Sequence, residues 1–304
     1  MQIASQLSHI LAAIPELGLI SIRGRGVKYV PPRTNACDWR APPVLDYLQR
    51  YADHRRIDGE YFLCLYDGWR EYSAPCATPV FVPWRDVDPG RFAGTGADGE
   101  PRFIHRHADG IFPVLPRPVL TFCRHAGDTG AWLIPDAEFL ETRFKRFLDD
   151  VRASDCGWDD KRGDVLYWRG QRRSTNSGDS HVRDLIARSE ARHLDARLTT
   201  ETTIADQLRY KYLLDVDGMV SAWSGLFWKL ASNSVPVKVR SHWEQWYYRW
   251  LRDGESIVLT DLDFEQTFRH LARTDGECHR ISQCGRRLAE RLSYQFACEE
   301  YVIG

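Results

Sequence analysis

Residues 210–239, YKYLLDVDGMVSAWSGLFWKLASNSVPVKV, contain the pattern from which the fold of this chain is predicted. A short apolar run at 212–216 is followed by an Asp-Gly turn signal, a helical segment at 222–232 and a second apolar run at 235–239. Short apolar runs bounded by turn residues are typical of buried parallel strands, and a helix between two of them predicts a βαβ unit. We therefore expect a parallel sheet of Rossmann-like topology in this half of the chain.

Strand-like and helix-like segments alternate over most of the chain and predict two α/β halves, separated by a polar stretch at 155–163. The predicted strands are residues 61–66, 119–122, 132–134, 165–168, 212–216, 235–239 and 257–259. A helical period runs over residues 1–22, and further helices are predicted at 44–56, 138–152, 180–193, 222–232, 243–252, 264–273 and 277–297. The basic, proline- and glycine-rich stretch 23–43 is predicted to be a surface loop or mobile arm.

Composition excludes several classes of protein. The chain has 304 residues, of which 43% are hydrophobic, so it can bury a core and is not disordered as a whole. Its 41 basic and 42 acidic residues nearly cancel, which argues against binding nucleic acid through a general positive field. The eight cysteines form no C-x-x-C pair, so reduced thiols in a cytosolic protein are expected rather than disulfides or zinc. No signal peptide or membrane span is predicted.

The segment 167–174, YWRGQRRS, ends a predicted strand with a glycine turn, three arginines and a serine. Guanidinium groups and the backbone donors of a nearby helix would suit a diphosphate. A solvated basic loop, paired with Asp179 and Asp184, explains the same residues equally well.

The turn at 217–225 follows the next predicted strand and supplies serine, tryptophan and glycine. In open α/β sheets ligands bind at the carboxyl ends of strands, so this turn predicts a binding loop. The alternatives are an ordinary turn with a capping serine and, less favoured, a metal site at Asp215 and Asp217. Lys238 lies inside an apolar strand, where we expect it to pair with a neighbouring carboxylate.

Four motifs in order resemble family 90 of the glycosyltransferases, firmly over residues 165–295 and more weakly over 60–150. They are Y-W-R-G-x-R at 167–172, R-Y-K-Y-L-L-D-V-D-G at 209–218, S-A-W-S-G-L-F-W-K-L-A-S-N-S at 221–234 and W-Y-Y-R-W-L at 246–251. The form W-S-G-L-F-W-K-L is more similar to the bacterial lipopolysaccharide-modifying branch than to the animal protein O-glucosyltransferases.

The resemblance implies an α/β fold of the GT-B type, in which two Rossmann-like domains face each other across a central cleft. Residues 1–155 would form the acceptor-side domain and residues 156–304 the nucleotide-sugar domain. The last helix of the chain would pack back on the acceptor-side domain. The implied reaction is inverting, metal-independent transfer of a hexose or pentose, glucose or xylose above all, from a UDP-sugar. The implied acceptor is a hydroxyl of a cell-surface glycan or its lipid-linked precursor, such as lipopolysaccharide or capsule.

The resemblance also assigns site residues. Asp67 is the general-base candidate, although a strand followed by Asp67-Gly68 is equally the signature of a plain turn. The residues expected to hold the donor are Arg169, Gly170, Arg172, Ser174, Asp217, Gly218, Val220, Ser221, Ala222, Trp223, Ser224, Gly225 and Lys229. Residues expected to complete the donor pocket are Pro135, Asp136 and Phe139.

Two departures from the family pattern bear on function. The animal enzymes place an arginine where this chain has Gly225, and Lys229 or Lys238 could replace it. The stretch 73–116 is longer than in those relatives and is expected to shape the acceptor side. A second hypothesis is therefore a non-catalytic nucleotide- or glycan-binding protein on a degenerate transferase scaffold. We expect a cytoplasmic location without cofactor, metal or nucleic acid, and peripheral membrane contact through Arg23, Arg25, Lys28 and Arg33.

Overall fold

A computed structural model describes most of the chain. The described residues are Leu7, Leu11, 17–33, 37–55, 57–67, 81–83, 94–95, 101–104, 117–126, 128, 130–171, 181–218 and 220–304. They form two compact units: unit 1 comprises residues 1–137, 242–246 and 298–304, and unit 2 comprises residues 138–241 and 247–297. The functional division at residues 155/156 and the packing of the last helix stay predictions.

In chain order the strands are β1 (Leu17–Arg23), β2 (Gly26–Val30), β3 (Gly59–Cys64), β4 (Phe81–Pro83), β5 (Gly94–Thr95), β6 (Pro101–Ile104), β7 (Val119–Thr121), β8 (Cys123–His125), β9 (Ala131–Leu133), β10 (Arg162–Gly170), β11 (Leu194–Leu198), β12 (Tyr210–Asp215), β13 (Val235–Val239), β14 (Trp243–Gln245) and β15 (Val258–Thr260). The helices are α1 (Ala41–Arg55), α2 (Ala137–Glu141), α3 (Lys145–Ser154), α4 (His181–Ala187), α5 (Ile204–Gln207), α6 (Gly225–Leu230), α7 (Phe264–Arg273), α8 (Asp275–Arg291) and α9 (Tyr294–Glu299). None of the helices in the described ranges is long and apolar enough to cross a membrane.

Unit 1 is built on a mixed sheet of order β2-β1-β3-β7-β9. Strand β1 is antiparallel to β2 and β3, whereas β3, β7 and β9 are parallel. Strands β4, β5 and β6 form a small antiparallel sheet, and β14 pairs with β8. The predicted strands at 61–66, 119–122 and 132–134 and the helix at 44–56 are confirmed.

The N-terminal prediction is wrong over residues 17–30. This stretch forms the β1–β2 hairpin instead of a helix end and a loop, with Arg23 opposite Gly26 and Gly24 at φ +58 in the two-residue turn. The buried Ile20 and Ile22 are β-branched and favour a strand, and glycine adopts the turn conformation without strain.

Unit 2 is built on a fully parallel sheet of order β11-β10-β12-β13-β15. Numbered along the chain this order is 2-1-3-4-5, one of the two common orders of open doubly wound sheets. The four strands predicted here are confirmed, whereas β11 was not predicted, and the predicted helix 180–193 ends early, at Ala187. Every residue of β13 is buried, as expected for an inner strand of a covered parallel sheet.

Two predicted helices are not continuous helices in the structure, one because of backbone conformation and the other because of burial. The segment 138–152 is broken into α2 and α3, because Arg143 and Phe144 have φ +50 and +64. The predicted helix 243–252 is β14 followed by a 3₁₀ turn at Tyr248–Trp250. Residues 245–247 are consecutively buried, and a helix cannot bury three successive residues on one face.

The packing of α8 in unit 2 gives a stability prediction. A Cβ at Gly285 would lie 2.9 Å from the Ser256 carbonyl oxygen and 3.3 Å from Leu230 Cδ2, whereas a Cβ at Gly276 on the same helix meets nothing within 4 Å. Gly285→Ala is therefore expected to lower the free energy of unfolding by about 1–3 kcal/mol in urea titrations. The matched control Gly276→Ala is expected to be neutral or stabilising. Equal stabilities of the two variants would contradict this packing.

Candidate functional site

The carboxyl edge of the parallel sheet in unit 2 brings two predicted binding segments together. Strands β10 and β12 are neighbours that run in the same direction, so Gln171 and Val216, the residues that follow them, leave the sheet at the same edge. In a sheet of order 2-1-3-4-5 this is the switch point, where the connections diverge and ligands bind. The second of these segments, residues 216–224, is called here the β12 loop.

A buried ionic network lies directly under the β12 loop. Asp215 is the last residue of β12, and Lys238 stands opposite it on β13. Lys229 Nζ donates to Asp215 Oδ1 at 2.6 Å, and Lys238 Nζ lies 3.4 Å from Asp215 Oδ2 and 2.7 Å from Asp217 Oδ1. The predicted pairing of Lys238 with a carboxylate is confirmed.

Protonation in this network follows from burial and pairing. Burial acts to raise the pKa of Asp215, but the ammonium groups of Lys229 and Lys238 outweigh it and lower that pKa to about 2. Burial lowers the pKa of Lys229 despite its contact with Asp215, whereas the carboxylates of Asp217 and Asp215 overcome burial and raise the pKa of Lys238. Because the pKa of Asp215 lies below its ordinary value of 3.8, its pairing stabilises the fold at neutral pH, and this contribution is lost as the pH falls from 3.8 through about 2.

Arg183, on the first turn of α4, ties the two segments together. Its Nε and Nη2 donate to the carbonyl oxygens of Asp217 and Val216, at 2.9 and 3.0 Å, and its Nη1 donates to the carbonyl of Gln171 at 2.9 Å. Gly218 packs against the same guanidinium, since a Cβ there would lie 3.4 Å from Nη2. One side chain therefore holds the backbone at both strand ends.

The rest of the β12 loop is anchored within unit 2 by side chains. The hydroxyls of Ser221 and Tyr248 are hydrogen bonded, and Ser224 Oγ donates to Glu138 Oε2 at 3.0 Å. Trp223 has φ +71, an uncommon conformation for a large side chain, and such strain is found in loops shaped for a ligand. Val220 is buried, and Ala222 and Trp223 are half-buried.

Near the carboxyl end of β10, Arg169 has a structural role. Arg169 Nη2 contacts both carboxylate oxygens of Asp195 on β11, at 2.9 and 3.0 Å, and its guanidinium lies over the Tyr167 ring. A Cβ at Gly170 would come within 2.4 Å of Trp168 Cζ2, so glycine is required for this approach. Arg172 and Ser174 lie outside the described residues, and their contacts stay predictions.

Lys229 and Gly225 occupy the first turns of α6. The Lys229 ammonium is buried and bound to Asp215, so a ligand contact, which stays a prediction, requires it to leave that carboxylate. At Gly225 an added Cβ would meet Asp215 Oδ1 at 3.8 Å, an ordinary contact distance, so a larger residue has room to start there.

Unit 1 contains the predicted catalytic residue, Asp67, in a buried charge cluster. Arg40 Nη2 donates to Asp67 Oδ1 at 2.5 Å, and its Nη1 donates to the Leu65 carbonyl at 2.8 Å. Burial acts to lower the pKa of Arg40, but the carboxylates of Asp67 and Asp136 together raise it. The structure thus places Asp67 and Asp136 around one arginine. Gly68 lies outside the described residues.

Two residues expected near the donor are core residues in the structure. The Phe139 ring is fully buried, 5.0 Å from Phe144 and 4.9 Å from Phe227 between ring centroids. Pro135 in unit 1 is also buried. Their contact with substrate stays a prediction, and their observed role is packing.

Arg40 and Arg183 were missed by sequence reasoning. Arg40 and Asp67 are 27 residues apart in the sequence, and no local sequence pattern predicts a contact between them. Arg183 carried a weak signal, since it lies at the start of the helix that follows the arginine-rich segment.

The network under the β12 loop gives a stability prediction. Lys238→Met removes the cation of Asp217, whose side chain is only 13% exposed, and one of the two cations of the buried Asp215, so the free energy of unfolding is expected to fall by about 3 kcal/mol in urea titrations. The control Lys145→Met removes an exposed pair with Asp149 and is expected to cost less than about 0.5 kcal/mol. Similar losses in the two variants would show that the buried pairing is not important for stability.

The comparison with known proteins gives one match. No curated protein matches the chain. The sequence profile described as Glycosyl transferase family 90 matches residues 102–289, well over half of the chain, including all of β10 to β15. The chain therefore belongs to glycosyl transferase family 90.

Proposed function

We propose that this family member is an inverting transferase that moves glucose or xylose from a UDP-sugar to a hydroxyl of a cell-surface glycan, such as a lipopolysaccharide or capsule precursor. Family membership supports glycosyl transfer in general. The observation that carries the proposal is the pair of strand-end segments at the switch point, held together by Arg183. Such a preorganised edge suits a nucleotide ligand.

The donor is assigned to the carboxyl edge of the unit 2 sheet. Asp217 Oδ2 has no hydrogen-bond partner among the described residues, and a rotation of this carboxylate would let it accept a hydrogen bond from a donor hydroxyl. Trp223 would offer a face to the base or sugar. Arg172 would take up the charge of the leaving diphosphate, which in metal-dependent enzymes is neutralised by the ion.

Asp67 is the general base in this proposal. Its carboxylate accepts the proton of the acceptor hydroxyl while that oxygen forms a bond to the anomeric carbon. The bond from that carbon to the diphosphate oxygen breaks on the opposite face, and UDP leaves with the bonding electrons. Arg40 is the positioning residue, because its contact with Oδ1 fixes the orientation of the carboxylate. The Asp136 carboxylate also interacts electrostatically with Arg40.

We also propose a GT-B architecture and a cytoplasmic location at the membrane surface. Two Rossmann-like domains, formed by residues 1–155 and 156–304, would face each other across a cleft as in GT-B enzymes, with the base in the first and the donor in the second. The enzyme would work in the cytoplasm against the inner face of the membrane, with Arg23, Arg25, Lys28 and Arg33 exposed around the β1–β2 hairpin as the contact surface. The bacterial branch is part of the same proposal.

Metal-independent transfer is proposed from the resemblance. Within the described ranges no group of three His, Cys, Asp or Glu side chains is arranged as metal ligands would be.

A second candidate is a non-catalytic nucleotide- or glycan-binding protein. One observation favours it: Lys229 and Lys238, the two substitutes considered for the family arginine at Gly225, are both bound to buried aspartates. A protein that binds UDP but hydrolyses no UDP-sugar would support this candidate.

Slow donor hydrolysis without acceptor tests the proposal. A panel of UDP-sugars, with EDTA present, is expected to give UDP release with UDP-glucose or UDP-xylose. Asp67→Asn is expected to lower this rate by about a thousandfold, because it removes the base that activates water or acceptor. UDP affinity, measured by isothermal titration, is expected to stay within about twofold because the nucleotide does not contact Asp67.

The control is Asp46→Asn, which changes an exposed carboxylate of the same unit and should retain full activity. Retained turnover in Asp67→Asn would refute the assignment of the base. Failure of the parent protein to bind UDP at millimolar concentration would refute the proposed donor class.

A further inference from the structure

Unit 1 contains a cavity at the edge of its sheet opposite to Asp67. Its volume is about 720 Å³, within the range of small-molecule sites, and it is open on one side. The wall is formed by the residues that begin β3 and precede β7, together with Trp132 of β9. Asp67 lies three residues beyond the other end of β3, so the cavity is separate from the candidate catalytic cluster.

The charges that line this cavity cancel. Two carboxylates, Asp58 and Glu60, and two arginines, Arg23 and Arg117, line it, so the wall presents hydrogen-bond acceptors and donors without a net charge. Asp58 Oδ1 is already used in part, since it accepts the backbone N–H of Gly24 at 2.6 Å. This lining fits a neutral ligand with many hydroxyl groups better than an anion or a cation.

Glu60, which lines the cavity, supplies a further observation that favours a ligand. Its Oε2 is buried and has no hydrogen-bond partner among the described residues. A buried carboxylate oxygen is costly to leave unbonded, and a rotation of the Glu60 side chain toward the cavity would let a hydroxyl donor there satisfy it.

The cavity also has an aromatic wall. The rings of Tyr61 and Trp132 pack with centroids 5.8 Å apart, and Trp132 remains half-exposed beside the opening. The Tyr61 hydroxyl is placed over Gly59, where a Cβ would come within 2.9 Å of it. An aromatic face next to hydroxyl-binding groups is an arrangement that accommodates the apolar and polar faces of a sugar ring.

We infer that this cavity is an accessory saccharide site that holds one neutral sugar unit of a glycan, away from the reacting centre. The inference rests on the proposed function only for the choice of glycans as the ligand class. Strand β3 connects the two places, and from Glu60 to Cys64 it rises about 13 Å. A site at this distance would retain a long acceptor glycan rather than position its reacting hydroxyl.

The test uses the whole chain and NMR of the tryptophan side chains. Methyl glucoside, methyl galactoside and methyl xyloside are titrated separately to high millimolar concentration, without nucleotide. The indole N–H signal of Trp132, assigned by its loss in Trp132→Phe, is expected to shift and saturate with at least one of them. The indole signal of the exposed Trp39, which lies against Arg40 beside Asp67, is expected to stay in place.

Three variants assign the binding groups. Glu60→Gln and Arg117→Gln are each expected to weaken the binding by about tenfold, because each changes a charged hydrogen-bonding group of the wall. Arg50→Gln, which changes an arginine of the same unit that is 45% exposed and does not line the cavity, is expected to leave the affinity unchanged.

Absence of any Trp132 shift, or a shift confined to Trp39, would overturn the inference. Unchanged affinity in Glu60→Gln would also overturn it. The outcome is independent of donor hydrolysis: a chain that hydrolyses UDP-sugar but shows no Trp132 shift refutes only the accessory site. A chain that shows the shift but neither binds nor hydrolyses donor refutes only the proposed transferase.

Discussion

Two buried lysines neutralise two aspartates at the carboxyl edge of the unit 2 sheet, and the loop above that edge is arranged around them. Burying four charged groups is unfavourable unless each finds a partner, and here Asp215, Asp217, Lys229 and Lys238 satisfy one another. The pairing fixes where β12 ends, where α6 begins and how Asp217 is presented. Arg183 then ties the same loop to the end of β10, so a single side chain cross-links the two strand ends at the switch point of the sheet.

Most of the fold of unit 2 could be predicted, because buried parallel strands are short apolar runs that need no knowledge of distant residues. The run 212–216 and the run 235–239 are both strands, and they are neighbours, as a βαβ unit requires. Strand β11 was missed because Leu194–Leu198 is only half-buried and contains charged residues. The β1–β2 hairpin was missed because the residues of β2 alternate between half-buried and exposed, and the glycine turn was read as part of a loop.

The candidate site was predictable in its loops but not in its pairings. Local sequence singled out the segment after Gly170 and residues 217–225 as candidates, since glycine, serine and aspartate at strand ends have local causes, and the family resemblance added Asp67. The partners are determined by packing: Arg40 reaches Asp67 from another element, and Lys229 is turned inward to Asp215. A lysine or arginine in a motif therefore cannot be assigned to a ligand until its carboxylate partners are known, and for Lys229 and Arg169 those partners are protein groups.

In the proposed function, the carboxyl edge of the unit 2 sheet binds the nucleotide of the donor. Hydrogen–deuterium exchange of the whole chain, with and without saturating UDP and with EDTA in both samples, tests it most directly. With UDP bound, we expect slower amide exchange in residues 216–224 and in the segment after Gly170, and little change in β1 and β2. Unchanged exchange in both segments, in the presence of bound UDP, would contradict it.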